Sequence, residues 1–138
     1  MSRICKVLVV EGHEGVRALL GDIFADEGYR FTLVPSGTAM RHALDDDDYD
    51  VVVIDVVLRD GEDGFALAEF AREHGCGVVL TTADHRHRNR LTSSGFHFLM
   101  KPFKVQQMIE LVDRILKETA ARCVRRKRSN GSLFPARP

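Results

Sequence analysis

The chain holds 138 residues, 44% of them hydrophobic and 29% charged, with 20 basic side chains against 20 acidic ones. Such a length and balance describe one globular domain built on a single core. No apolar run approaches the roughly 18 residues of a membrane span, and Met1-Ser2-Arg3-Ile4 lacks a secretory pattern, so the expected setting is cytoplasmic.

The first predicted strand covers about residues 5–10 and ends on Glu11. Val16, Leu19, Leu20, Ile23 and Phe24 then recur at the spacing of one apolar helix face, and Gly28 ends that helix. Phe31 to Val34 reads as a short second strand. Ser36 is a candidate N-cap for a helix through Leu44, closed by the acidic run Asp45 to Asp48. The third strand, near residues 50–55, ends on Asp55 and leads into a polar loop from Arg59 to Gly64. A helix carrying Leu67, Phe70 and Ala71 follows, broken by Gly75 and Gly77. The fourth strand covers about 78–82 and ends on Thr82, before a cationic segment from His85 to Ser94. The fifth strand lies near 96–100 and runs into Lys101, and Val105 to Leu116 mark a long amphipathic last helix.

Each apolar run is too short for a stable helix and reads as a strand covered on both faces, as in parallel sheets. The helical patterns between them are long enough for crossovers. The expected fold is therefore α/β, a doubly wound five-stranded parallel sheet in strand order 2-1-3-4-5, a flavodoxin-like (βα)5 arrangement. Its strands share one carboxyl edge, where Glu11, Asp55, Thr82 and Lys101 would converge.

Two neighbouring carboxylates repel, and a hard divalent cation such as Mg²⁺ relieves that repulsion. An ammonium and a hydroxyl beside them supply the charge and the donor that a transferring phosphoryl group requires, and an aspartate can be its nucleophile. Glu11-Gly12-His13-Glu14-Gly15 fits neither common glycine-rich phosphate loop. The chemistry expected is phosphoryl transfer onto Asp55 or binding of a phosphorylated ligand.

At Val7-Leu8-Val9-Val10-Glu11, Val53-Ile54-Asp55-Val56-Val57-Leu58, Leu80-Thr81-Thr82-Ala83 and Phe98-Leu99-Met100-Lys101-Pro102-Phe103, the chain resembles the receiver domains of two-component response regulators. The resemblance spans residues 4–120. It implies Asp55 as phosphoacceptor, charged by a histidine kinase or a histidine phosphotransfer protein. It implies a Mg²⁺ site formed by Glu11, Asp55 and the backbone carbonyl of Val57, with Lys101 pairing with phosphoryl oxygens and Pro102 preceded by a cis bond. Thr82 would hydrogen-bond the phosphoryl group and Phe98 would turn inward behind it, altering the face formed by the fourth helix, fifth strand and fifth helix. Val57 and Asp84 would govern phosphate lifetime, and an apolar Val57, unable to orient water, implies slow loss. A stand-alone regulator acting through a downstream protein effector is the expected role, with homodimerisation through that same face as a mode used by relatives.

Two departures stand out. Gly12 occupies the place where receivers usually carry a second acid, so weak Mg²⁺ binding is expected, and the rival role is a degenerate receiver that binds its partner without phosphate. Gly64 also lies one residue later than the commonest spacing, and Arg59 replaces a usual proline.

The remaining features take plainer readings. His85, Arg86, His87, Arg88 and Arg90 form a solvated cationic face or a docking surface for an acidic partner. Cys5, Cys76 and Cys123 lack metal-ligand spacing and are expected as reduced thiols. The domain is expected to end at 121, with 122–138 a basic tail without packed structure: it holds six basic side chains and no acid, leaving 14 basic against 20 acidic in the rest. That tail has no fold of its own to bind nucleic acid, and a solubilising extension is the favoured reading.

Overall fold

A computed structural model describes residues 3–119, 123–126 and 133–135, the last three by their backbone alone. The strands are β1 (Arg3–Ile4), β2 (Lys6–Val10), β3 (Arg30–Val34), β4 (Val51–Asp55), β5 (Gly77–Thr82), β6 (His97–Met100), β7 (Cys123–Arg126) and β8 (Leu133–Pro135). The helices are α1 (Glu14–Asp26), α2 (Gly37–Asp46), α3 (Gly64–Glu73), α4 (Arg88–Ser94) and α5 (Val105–Glu118), with a 3₁₀ turn at His85–His87 before α4. Strands β2 to β6 form one sheet in the order β3-β2-β4-β5-β6, parallel throughout. This is the expected 2-1-3-4-5 order.

Successive residues of a strand face opposite sides, so each strand feeds two cores. Leu8, Val10, Val52, Ile54, Val78 and Leu80 pack with Met40, Leu67, Ala71 and Leu91 from α2, α3 and α4. Val7, Val9, Val51, Val53 and Val79 pack with Leu20, Phe24, Met108, Val112 and Ile115 from α1 and α5. Burial on both faces is why these strands read as unbroken apolar runs. The helix starts are set by side-chain oxygens or nitrogens that accept otherwise unpaired backbone N–H groups. Ser36 caps α2 by accepting from Ala39 N at 3.1 Å, His13 caps α1, and Asp63 caps α3. Every one of these caps lies at the carboxyl edge of the sheet, where the candidate site lies.

Two expectations are corrected at the opposite edge. Cys5 and Cys123 are joined in a disulfide, their Cα atoms 4.7 Å apart, although 118 residues separate them in sequence. Sequence spacing carries no information on this closeness, which arises because α5 returns the chain to the amino edge beside β1. Only Cys76 is a free thiol, and burial pushes it up to about 11. Part of the expected loose tail is also packed. β7 pairs parallel with β1 and antiparallel with β8 in a separate three-stranded sheet. The pairing occurs because β1 offers an open edge and Arg125 finds Glu27 at 2.7 Å. Arg122, Lys127, Arg128 and Arg137 lie outside the described residues, as does the expected boundary at 121/122.

Candidate functional site

Glu11, Asp55 and Lys101 meet beyond the ends of β2, β4 and β6. Glu11 directly follows β2, Asp55 is the last residue of β4, and Lys101 directly follows β6. Because β2, β4, β5 and β6 are parallel and in register, their ends lie side by side, and Glu11, Asp55 and Lys101 turn to one crevice. Lys101 Nζ donates to Asp55 Oδ2 at 2.7 Å and to Glu11 Oε1 at 2.5 Å. The other carboxylate oxygens are held by backbone: Asp55 Oδ1 accepts from Val57 N at 2.9 Å, and Glu11 Oε2 accepts from His13 N at 3.2 Å. The backbone of Lys101 is itself fixed, its N–H donating to Thr82 O at 2.8 Å, and the Lys101–Pro102 bond is cis.

The electrostatics follow from burial. The side chain of Glu11 is only 4% exposed and that of Asp55 12%. Burial disfavours the Glu11 carboxylate and raises its pKa, with the Lys101 hydrogen bond pulling the other way. Burial alone would discharge Lys101, but its bonds to Asp55 and Glu11 outweigh that and hold it above its ordinary value. With both carboxylates ionised, the single ammonium of Lys101 leaves one negative charge uncompensated in the crevice.

That residual charge bears on Mg²⁺. A magnesium ion keeps several waters and takes one or two carboxylates from protein, so Glu11 and Asp55 fit it in chemistry and number. Among the described residues no group of three His, Cys, Asp or Glu side chains is placed to hold a metal. Position 12 adds nothing to the donors, yet has room for a donor: a Cβ there would meet Arg59 Cγ at 3.5 Å and Pro35 O at 3.7 Å, ordinary contact distances. The site therefore suits a hard cation with one ligand fewer than Gly12's position could supply.

The other expected residues sit around this centre. Thr82 is buried, its Oγ1 accepting from Asp84 N at 3.1 Å, while Thr81 is likewise buried one residue earlier in β5. Phe98 faces Leu80 across β5 and β6 and is half-buried against the α2–α4 core. Val57 exposes 58% of its surface at the mouth of the crevice. Asp84 is drawn away from it: both its carboxylate oxygens bind Arg86, which holds its carboxyl well below the usual range. The cationic run is thus partly neutralised within the fold, since Arg90 also pairs with Asp63 at 2.9 Å and lies over the Phe65 ring.

Some contributors were not singled out from sequence. Arg17 donates to the carbonyl of Glu11 at 2.9 Å and steadies the turn after β2. Asp60 accepts from Gly37 N at 3.1 Å and ties the loop after β4 to the start of α2. Gly64, read only as a spacing irregularity, is a close-approach glycine: a Cβ there would lie 2.5 Å from Val56 Cα and 2.8 Å from Asp55 O. None of these contacts has a sequence signal, because each joins segments that meet only in the folded chain.

Fold and site together define a doubly wound α/β module with two carboxylates and an ammonium at its carboxyl edge. The response regulator receiver domain family matches residues 7–113, and the chain belongs to that family. It is 27% identical over 118 residues to the transcriptional regulatory protein GltR of Pseudomonas aeruginosa, covering 80% of this chain and 48% of that one. It is 32% identical over 108 residues to the transcriptional regulatory protein TcrA of Mycobacterium tuberculosis, covering 75% and 42%. The chain thus spans about half the length of the curated relatives it matches. Among solved structures it superposes on a response regulator receiver protein from Sinorhizobium medicae with a TM-score of 0.78 at 24% identity, covering 84% of this chain and 97% of that one. It superposes on the response regulator TrrA of Thermotoga maritima, a complex with Mg²⁺–BeF, at a TM-score of 0.73 and 25% identity, covering 82% and 100%.

Proposed function

We propose that this chain is a phosphorylation-controlled signalling module, working in the cytoplasm, whose Asp55 accepts a phosphoryl group from a phosphohistidine of a kinase or phosphotransfer protein. The observation that carries this reading is the contact of Lys101 Nζ with both Asp55 and Glu11. A carboxylate oxygen of Asp55 attacks phosphorus, the P–N bond of the donor imidazole breaks, and an acyl phosphate forms. Val57 N–H and Lys101 hold Asp55 from two sides, so the nucleophile enters the reaction already oriented. Lys101 then exchanges part of its contact with Asp55 for a phosphoryl oxygen, stabilising charge where it develops. Glu11, Asp55 and the Val57 carbonyl would hold Mg²⁺, which when bound offsets the negative charge of the phosphoryl oxygens. With one ligand position empty at Gly12, that binding is weak.

The hydroxyl of Thr82 would leave Asp84 N–H for the phosphoryl group, and Phe98 would fill the space behind it. The changed surface at α4, β6 and α5 would be read by a downstream protein effector or a second copy of the chain, with no chemistry on a separate metabolite. Val57 is apolar at the crevice mouth and orients no water, and Asp84 is engaged by Arg86, so the phosphoryl state should last minutes rather than seconds. A half-life of seconds in purified protein would count against these roles.

The test is labelling by acetyl phosphate in Mg²⁺, read by intact mass. The wild type should gain one phosphoryl group and Asp55→Ala none. Gly12 favours a second reading, a degenerate receiver that binds its partner without phosphate. Unlabelled wild type that also fails to respond to beryllofluoride would select it.

A further inference from the structure

The amino edge of the sheet carries a feature that phosphoryl transfer does not use. We propose that Cys5–Cys123 is a reversible thiol–disulfide site, a redox clasp that docks the basic strand β7 on the fold when oxidised and releases it when reduced by a cytosolic dithiol.

Among the described residues, β7 meets the amino edge through a short set of non-covalent contacts beside its covalent bond. β7 joins β1 through only two residue pairs, Arg3 with Cys123 and Ile4 with Val124. Two further backbone bonds cross it, Cys5 N to Val124 O at 2.8 Å and Arg126 N to Gly28 O at 2.7 Å. Arg125 also pairs with Glu27 at 2.7 Å. Against this, the five-stranded sheet and its five helices are complete without β7. Of the described tail residues, only Cys123 belongs to a core cluster. The covalent tie joins residues 118 apart in sequence and holds β7 to the amino edge whatever its other contacts do. Gly28 is shaped to this docked state, since a Cβ there would lie 1.9 Å from Arg126 O.

A disulfide in a reducing compartment is usually exchanged rather than permanent. The compartment rests on the function proposed above; the clasp's chemistry does not. Cys123 is 7% exposed and Cys5 fully buried, so the incoming thiolate reaches Cys123 Sγ first. It forms a mixed disulfide and expels Cys5 as a thiolate, which takes a proton. The second thiol of the dithiol then displaces Cys123. Two electrons and two protons pass to the cysteine pair, and the dithiol becomes a disulfide. The outcome uncovers the Arg3–Ile4 edge and separates Arg125 from Glu27.

The experiment uses the full chain, oxidised with glutathione disulfide or reduced with thioredoxin and its reductase. Peptide mapping without reductant follows the bond, and amide hydrogen exchange follows the strand. The oxidised chain should yield a joined Cys5–Cys123 peptide that thioredoxin removes. Exchange at Cys5 and Arg126 should then accelerate at least about 10-fold, with Val52 and Val79 unchanged, and reoxidation should reverse it. Cys76→Ser should keep the whole response, and Cys123→Ser should behave as the reduced chain under oxidant. If Cys123→Ser fails to fold, the wild-type comparison alone decides. The proposal is overturned if no joined peptide forms, if thioredoxin leaves it intact, or if exchange is equal in both states. Acetyl phosphate labelling run in parallel reports the Asp55 reading separately, since either can fail alone.

Discussion

At the carboxyl edge of the sheet, Glu11 and Asp55 crowd around one ammonium and leave a net negative charge in a buried crevice. At the amino edge the chain is tied by a disulfide, the Arg125–Glu27 pair, and a Tyr29 hydroxyl donating to buried Asp113, although among the described residues Arg125 Nε is buried without a hydrogen-bond partner. Ionisable groups crowd one crevice at the first edge, and a covalent bond ties distant parts of the chain at the second. Under the proposed function, the carboxyl edge would give up stability for reactivity, while the disulfide ties the amino edge.

The largest effect expected comes from breaking the charged end. Lys101→Met leaves Glu11 and Asp55 facing each other without the Lys101 ammonium and removes the charge proposed to stabilise a phosphoryl group. Initial rates of acetyl phosphate labelling should fall at least about 100-fold, roughly 2.7 kcal/mol of transition-state stabilisation. A loss under tenfold would mean that the ammonium contributes little beyond orientation.

The corresponding break at the tied end is Gly28→Ala. Gly28 has φ +80°, and its missing Cβ makes room for Arg126 O, so alanine brings both backbone strain and a clash. Stability in urea should fall by about 2 kcal/mol while the labelling rate holds. A labelling rate that fell in step with stability would show the two ends to be coupled, and the comparison would lose its force.

These two ends also differ in how far they could be read from sequence. Asp55, Lys101 and Glu11 were legible because each follows an apolar strand directly, and parallel strands in register bring such positions together whatever the loops do. The strand order and the Ser36 cap were legible for similar local reasons. The Cys5–Cys123 bond was not, since nothing near either cysteine encodes where α5 delivers the chain. Gly64 was misjudged as a spacing oddity because close backbone approach is a property of two segments rather than one. Arg86 and Arg90 read as free cations, yet the partners Asp84 and Asp63 that engage them are visible only in three dimensions.

A smaller change sharpens the charged end. Gly12→Asp places a third carboxylate where a Cβ meets only ordinary contacts, and Gly12 itself does not adopt a positive φ. Mg²⁺ affinity, measured by calorimetry, should rise about 10-fold, near 1.4 kcal/mol, because the cation offsets an added negative charge. Unchanged affinity would show that the stem of Arg59, which packs on this position, rather than the missing ligand, limits the site.

The smallest effect tests whether the crevice is held at a cost. The folded pKa of Glu11 lies above its ordinary value of 4.5, chiefly because it is buried. A carboxyl raised on folding adds stability in its protonated form, fully below pH 4.5, and that stability is lost as pH rises through the raised value. Above that raised value the ionised Glu11 is therefore a liability. Glu11→Gln keeps the shape, leaves Lys101 paired with Asp55, and should stabilise the metal-free chain by about 1 kcal/mol at pH 7. As pH falls below 4.5 the wild-type residue becomes neutral too, and the gap between the two urea midpoints should close. The same variant should bind Mg²⁺ more weakly at pH 7, having lost one of its two carboxylates. A variant less stable than wild type at pH 7 would show instead that the Lys101–Glu11 bond outweighs the desolvation of Glu11, and that the carboxyl edge is not under tension at all.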